Sequence, residues 1–387
     1  MSSDDREILR GIADLVATPS VSSTDPALDM SNAAVIDRLG DMLAAAGFTV
    51  ERLALDKQPG KFNLIARKGS GRGGLVLSGH SDTVPSDESL WDSDPFKLTE
   101  RDAQLYGLGA TDMKAFFPLA IAAAARYRGE EFRRQLIVLA TADEESGMSG
   151  ARSLVDRSIG LADVALIGEP TGLAPVRLHK GILMERVSLS GKSGHSSDPA
   201  LGINALDGMR VVLNALSDLR DDMRREHLDE SFHVPYPTMN FGRIAGGDNP
   251  NRICGSCSLD IDCRFLPGMG LADVRNRIRA CIRDALAGSG LGIDFHEIFH
   301  GIDAMNTPAD ASFVQAVEAL TGQEAGAVAF ATEAPLLAEL GAEVVVAGPG
   351  SIDQAHQPNE YIPLDALRPA IAMIEGVIGK YCIDPAA

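Results

Sequence analysis

Four short apolar runs, Leu75–Ser78, Leu136–Ala140, Val164–Ile167 and Val344–Ala347, set the strongest limit on the fold. Their length and lack of polar interruption suit buried strands rather than surface segments. Amphipathic helices are interleaved with them. Arg6–Thr18 places Ile8, Leu9, Ile12, Leu15 and Val16 at helical spacing, and Asn32–Ala46 is a second such segment, closed by Gly47. Strands at Phe48–Leu53 and Asn63–Ala66 are expected between that helix and Leu75. A third helical stretch follows Asp112 to about Arg126, with Pro118 inside it. Either the helix begins near Phe117 or the proline kinks it. The pattern predicts an α/β fold.

In an open α/β sheet, ligands gather in the crevice beyond the carboxyl ends of the strands. The residues found there are chemically pointed. His80 follows the first run, Glu145 the second, Glu169 the third, and His356 lies downstream of the fourth; Asp112 follows the glycine loop Gly107–Gly109. Two imidazoles and three carboxylates are the donor inventory for two divalent cations. The chain therefore reads as a metal-dependent hydrolase.

Each piece taken singly has a plainer explanation. A His80-Ser81-Asp82 pair is often a surface hydrogen bond; in extended chain Asp82 would instead accept the ring proton of His80 and orient it. Asp143-Glu144-Glu145 is a solvated acidic loop in most contexts. Directly after a buried strand, one carboxylate can bind a cation while its neighbour faces water. Glu169, in Gly168-Glu169-Pro170-Thr171, could equally cap a helix, and Gln354-Ala355-His356-Gln357 is weak alone. The joint placement carries the argument.

Other motifs are decoys. His296-Glu297-Ile298-Phe299-His300 has the letters of a zinc-protease motif, which requires a helix. Here Ile293, Phe295 and Phe299 alternate with polar residues, so a strand is predicted, and its two histidines would be roughly 13 Å apart. Gly191-Lys192-Ser193 has Arg186 where a phosphate loop needs its first glycine. Cys254 and Cys257, with Cys263 nearby, lack a fourth ligand and read as buried thiols. There is no G-x-S-x-G elbow of a serine hydrolase.

Length and charge bound the rest. The 387 residues suggest two domains. A formal charge of −19 opposes nucleic acid or an anionic membrane as partner, although most of it can equally be a solvated surface. No apolar stretch reaches membrane-spanning length, the N-terminal residues lack the pattern of a signal peptide, and five cysteines have no framework spacing. A cytoplasmic protein is expected. From Ile182 onward strands at Ile182–Ser190, Thr238–Ile244, Ser256–Phe265 and Ile293–His300 enclose helices at about Ala205–Glu226 and Leu271–Ala287. This predicts an α+β sandwich, residues 182–301, inserted into a catalytic domain made of 1–181 and 302–387.

The motifs also resemble a family. Ser78-Gly79-His80-Ser81-Asp82-Thr83-Val84-Pro85, Gly107-Leu108-Gly109-Ala110-Thr111-Asp112-Met113-Lys114, Asp143-Glu144-Glu145, Gly168-Glu169-Pro170-Thr171, Ser193-Gly194-His195-Ser196-Ser197, Asn251-Arg252, Thr332-Glu333-Ala334-Pro335 and Gln354-Ala355-His356-Gln357-Pro358 are similar to those of the dinuclear-zinc deacylases, which include aminoacylases, glutamate-type carboxypeptidases and succinyl-diaminopimelate desuccinylase. The resemblance spans nearly the whole chain. It implies a zinc-peptidase-like domain with helices on both faces of a mixed sheet, and a lid or dimerisation role for the insert. It also implies two divalent ions, Zn²⁺ or Co²⁺: His80 and Glu169 on one, Glu145 and His356 on the other, and Asp112 bridging. Glu144 would be the general acid and base acting on the shared water, with Asp82 and His195 as further catalytic residues. Arg252 and Asn251 would bind the substrate carboxylate. The implied reaction is hydrolysis of N2-acetyl-L-ornithine to ornithine and acetate, in arginine biosynthesis, by a homodimer. Acetylcitrulline or succinyl-diaminopimelate are alternative substrates. A catalytically silent dimeric relative that binds acyl amino acids is the alternative of another class, opposed by the presence of Glu144.

Overall fold

The four apolar runs become adjacent strands. A computed structural model describes residues 3–384, and the chain divides into two compact units. The first runs through Arg177 and resumes with Thr307–Gly326 and Thr332 onward; the second comprises Leu178–Asn306 and Ala327–Ala331.

In the first unit the strand order is Thr49–Ala54, Phe62–Lys68, Gln135–Thr141, Gly74–His80, Val164–Pro170, Glu343–Gly348. The last four of these run parallel, and Phe62–Lys68 joins them antiparallel, so the sheet is mixed. Alternate positions explain the unbroken apolar runs. Leu75, Leu77, Leu136, Val138, Val164, Leu166 and Val345 join one core with Ile12, Leu15, Phe116, Phe117 and Ile374 from helices on that face. The intervening Ile65, Val76, Ile137, Leu139, Ala165 and Val346 are buried as well. On their side the Asn63 amide donates to the Gly150 carbonyl at 2.9 Å, which places the helix Ser149–Asp156 there. Both faces are thus covered, the usual setting of parallel strands.

Register gathers the strand ends. His80 lies opposite Thr141, Ser78 opposite Ile167, and Val346 opposite Ile167 on the other side. The helix after Asp112 spans Phe116–Ala124, so Pro118 falls in its first turn, where a missing N–H costs nothing. Asp112 sits in the turn before it rather than opening the helix.

The second unit is an antiparallel sheet in the order Thr238–Gly246, Ser256–Phe265, Gly181–Ser190, Gly292–Ile302. Cys257, Leu259, Ile261, Cys263 and Phe265 alternate inward and pack with Val212 and Leu216 of Ala205–Glu226 and Ile278 and Ile282 of Leu271–Ala285. His296 pairs with Arg186 within the strand Gly292–Ile302, which is not the helix a zinc-protease motif needs. Burial pushes the Cys263 thiol up to about 12, so it stays protonated and inert. All five cysteines are free. Among the described residues no helix is long and apolar enough to cross a membrane.

Candidate metal centre

Each ligand candidate reaches the site from a different element, and small residues make room for them. His80 ends the strand Gly74–His80 and is buried. A Cβ on the preceding Gly79 would lie 2.7 Å from Met113 Cε. Glu169 lies within Val164–Pro170, and a Cβ on Gly168 would meet the Phe116 ring at 2.2 Å. The rigid Phe116 ring makes glycine necessary at Gly168, whereas at Gly79 the nearest atom is the movable end of Met113, with Phe117 Cζ at 3.2 Å, so the strand end packs closely there without excluding a small side chain.

Asp112 stands between two imidazole–carboxylate pairs. Its Oδ1 is 2.8 Å from His80 Nε2, and its Oδ2 is 3.5 Å from His356 Nε2. His80 Nε2 is also 3.8 Å from Glu169 Oε1, while His356 Nε2 is 3.0 Å from Glu145 Oε2. Donor atoms of His80, Asp112 and Glu145 all lie within 4.8 Å of one another. All five candidates therefore converge. His356 is the exposed member, its side chain 55% accessible, and holds a left-handed backbone with φ of 60°.

Asp82 departs from the sequence expectation. His80 Nδ1 donates to the backbone carbonyl of Asp82 at 3.0 Å, whereas the carboxylate is 3.7 Å away. Extended chain would bring the Asp82 carboxylate to the ring, but the backbone bends at Ser81 and the carbonyl meets the ring instead. The ring orientation is fixed all the same, turning Nε2 toward Asp112. The Asp82 carboxylate accepts the Glu145 N–H at 3.1 Å, so it pins the acidic loop.

The charges in this cluster are poorly balanced. Burial lifts the carboxyls of Glu144 and Glu169 well above the ordinary range, and that of Glu145 less; neighbouring acids add to the effect in each case. Burial also opposes ionisation of Asp112, but hydrogen bonds from His356 and His80 overcome it and hold that carboxyl low. Hydrogen bonds to Asp112 and Glu145 lift the His356 imidazole to about 10. For His80, burial works against the proton, yet Asp112 and the charges of Glu169 and Asp82 raise it well above its usual value. Crowded carboxylates that draw protons onto two imidazoles form a cation site by their chemistry. Imidazole nitrogen with carboxylate oxygen fits Zn²⁺ or a similar divalent ion.

Several residues at the site had no role in the sequence reading. Lys61, only 6% accessible, bridges Asp29 at 2.7 Å and Asp143 at 2.6 Å. Ser22 also donates to Asp143, whose φ is 57°. This anchors the residue just before Glu144. Glu333 is buried and accepts the Thr141 hydroxyl at 2.8 Å through one oxygen, while its other oxygen has no hydrogen-bond partner among the described residues. Glu333 was visible only as part of a resembling motif, and Lys61 carried no signal, because its partners are remote in sequence.

His195, Asn251 and Arg252 belong to the second unit and lie together there. His195 and Arg252 form an antiparallel bridge, and the Ser196 N–H donates to the Asn251 carbonyl at 3.0 Å. The His195 ring contacts the Ser197 hydroxyl at 2.7 Å, and Arg252 is paired with Asp248.

A mixed α/β sheet with paired imidazoles and carboxylates at its strand ends is the frame of a metallopeptidase, and the chain belongs to peptidase family M20/M25/M40, whose family model matches residues 76–380. It is 44% identical over 376 residues to an acetylornithine deacetylase from Vibrio vulnificus (strain CMCP6), covering 97% of this chain and 98% of that protein. An M20 family metallo-carboxypeptidase from Sulfolobus solfataricus shares the fold with a TM-score of 0.78, at 18% identity and over 98% of this chain and 99% of that one. A dinuclear metal binding peptidase of the M20 family from Bacillus subtilis does so at 0.67, with 13% identity over 97% and 98%.

Proposed function

We propose that this protein hydrolyses N2-acetyl-L-ornithine to L-ornithine and acetate, as a cytoplasmic step of arginine biosynthesis. Similarity to the Vibrio acetylornithine deacetylase along almost the entire chain supports the substrate. The observation that carries the chemistry is the Asp112 carboxylate directed at two imidazoles, each with a second carboxylate beside it. In this reading His80 and Glu169 would hold one divalent ion and His356 and Glu145 the other, with Asp112 contributing to each; zinc would be the best match and cobalt an acceptable one. Such ions supply Lewis acidity and lower the pKa of water. Glu144, adjacent to a ligand and lifted by burial, takes a proton from the attacking water and returns it to the departing amine. Asp82 keeps the Glu145 backbone in place. His195 stabilises the oxyanion, and Arg252, with Asn251 beside it, receives the substrate's α-carboxylate.

Acetate or succinate release from N2-acetyl-L-ornithine, acetylcitrulline and succinyl-diaminopimelate tests the assignment. The highest kcat/KM is expected for acetylornithine. A clear preference for either other compound moves the substrate, and turnover of none by the zinc-loaded protein supports a silent binder.

Arg252 has its own test. Arg252→Lys should raise KM for the acid, because lysine is a point charge and cannot form the bidentate pair. The α-amide of the substrate should be turned over equally by both proteins. Equal losses on acid and amide would remove Arg252 from carboxylate recognition.

A further inference from the structure

The loop that presents Asp112 is shaped by a carboxylate with no part in the chemistry above. Glu360 is 1% exposed and stands four residues after His356. Its Oε1 accepts the N–H groups of Thr111 at 2.7 Å and Asp112 at 3.0 Å, and its Oε2 accepts that of Gly109 at 3.0 Å. Its own carbonyl accepts the Gly107 N–H at 3.0 Å. The Thr111 hydroxyl adds a bond to the carbonyl of Tyr361. The two other N–H groups of this loop, on Leu108 and Ala110, go to the carbonyls of Pro95 and Gly107. Most of the loop's backbone donors therefore end on one residue, far away in sequence and in the segment that carries His356.

We propose that Glu360 is a positioning residue of the metal centre. It registers the Asp112 loop against the His356 segment, so that one Asp112 oxygen faces His80 and the other faces His356. Both Glu360 oxygens are spent on N–H groups, so the residue acts through the backbone of Asp112 and ligates nothing itself. A carboxylate suits this place for a geometric reason. Three N–H groups converge on two acceptor oxygens; an amide would turn an NH₂ donor toward one of them, and an apolar side chain would strand all three away from water. The inference rests on the reading of Asp112 as the ligand shared by two ions and of His356 as a ligand of one of them.

The test is zinc binding by the full-length protein, stripped of metal and titrated against a chromophoric chelator, with the visible spectrum of the cobalt-loaded form as a second readout. Glu360→Gln is expected to bind zinc about 10–100-fold more weakly, the range typical when support of a metal ligand is lost. It should also shift the cobalt bands, while its far-UV circular dichroism matches the unsubstituted protein. Unchanged zinc affinity and cobalt bands would overturn the proposal. If the glutamine variant does not fold, Glu360→Asp keeps the charge but withdraws it by one methylene, and weaker binding is again expected. Unchanged affinity in that variant, or failure of both to fold, would assign Glu360 to folding and not to the centre. An unsubstituted protein that binds no zinc in the same titration refutes the metal-centre reading instead.

Discussion

Glu144→Gln is expected to retain both metal ions and to lower kcat for acetate release by about 10²–10⁴-fold, the usual worth of a general base. Its double duty, first toward water and then toward the leaving amine, pushes the loss to the upper end. Glu145→Ala is expected to lose metal and activity together. The contrast is demanding because the two residues are neighbours with the same functional group. Their surroundings differ: Glu145 meets His356 through its side chain and Asp82 through its N–H, whereas Glu144 feels burial first, then the charge of His80, then neighbouring acids. Metal content and turnover measured on both variants decide the matter. Full metal content in Glu145→Ala, or metal loss in Glu144→Gln, would exchange the roles or dissolve them.

His195→Ala is expected to lower kcat by about a hundredfold or more with little change in KM, as loss of an oxyanion donor does elsewhere. Its ring is held by Ser197 and its backbone by the bridge to Arg252, so the substitution removes a side chain from a loop already fixed by other bonds. The residue lies in the second unit, and the proposed role has it act either within its own chain or across a dimer. Mixing His195→Ala with Glu144→Gln separates these routes. Activity recovered by subunit exchange means that His195 crosses a dimer, and no recovery means that it acts within its own chain. Near-normal turnover in His195→Ala would discard the role altogether.

Much of the sheet was legible because burial on both faces leaves a direct trace in sequence. Leu136–Ala140 and Val164–Ile167 admit hardly any polar residue, and the acids that follow them stand out at once. In the second unit the alternation of Ser256–Phe265 and Ile293–His300 was enough to expose the zinc-protease letters as strand. The edges of that unit were less visible, and the compact division falls at Leu178 and Asn306 rather than at residues 182 and 301. Short strands pair there, Met305 opposite His179 and Asn306 opposite Leu178, and two-residue ladders have no period to read. The placement of the five proposed ligands drew on strand ends and resemblance together. Their supports did not show. Lys61 and Glu360 act through partners distant in the chain, and for Glu360 those partners are backbone N–H groups, which carry no side-chain signature at all.

In the proposed reading, two divalent ions that share Asp112 make this chain a deacetylase. The most direct measurement is acetate release from N2-acetyl-L-ornithine by the metal-stripped protein as zinc is added back, with bound zinc per chain determined at each point. Negligible turnover is expected without metal, and full turnover as occupancy approaches two ions per chain. Sustained activity in the metal-free protein, or two zinc ions bound with no acetate released, would contradict it.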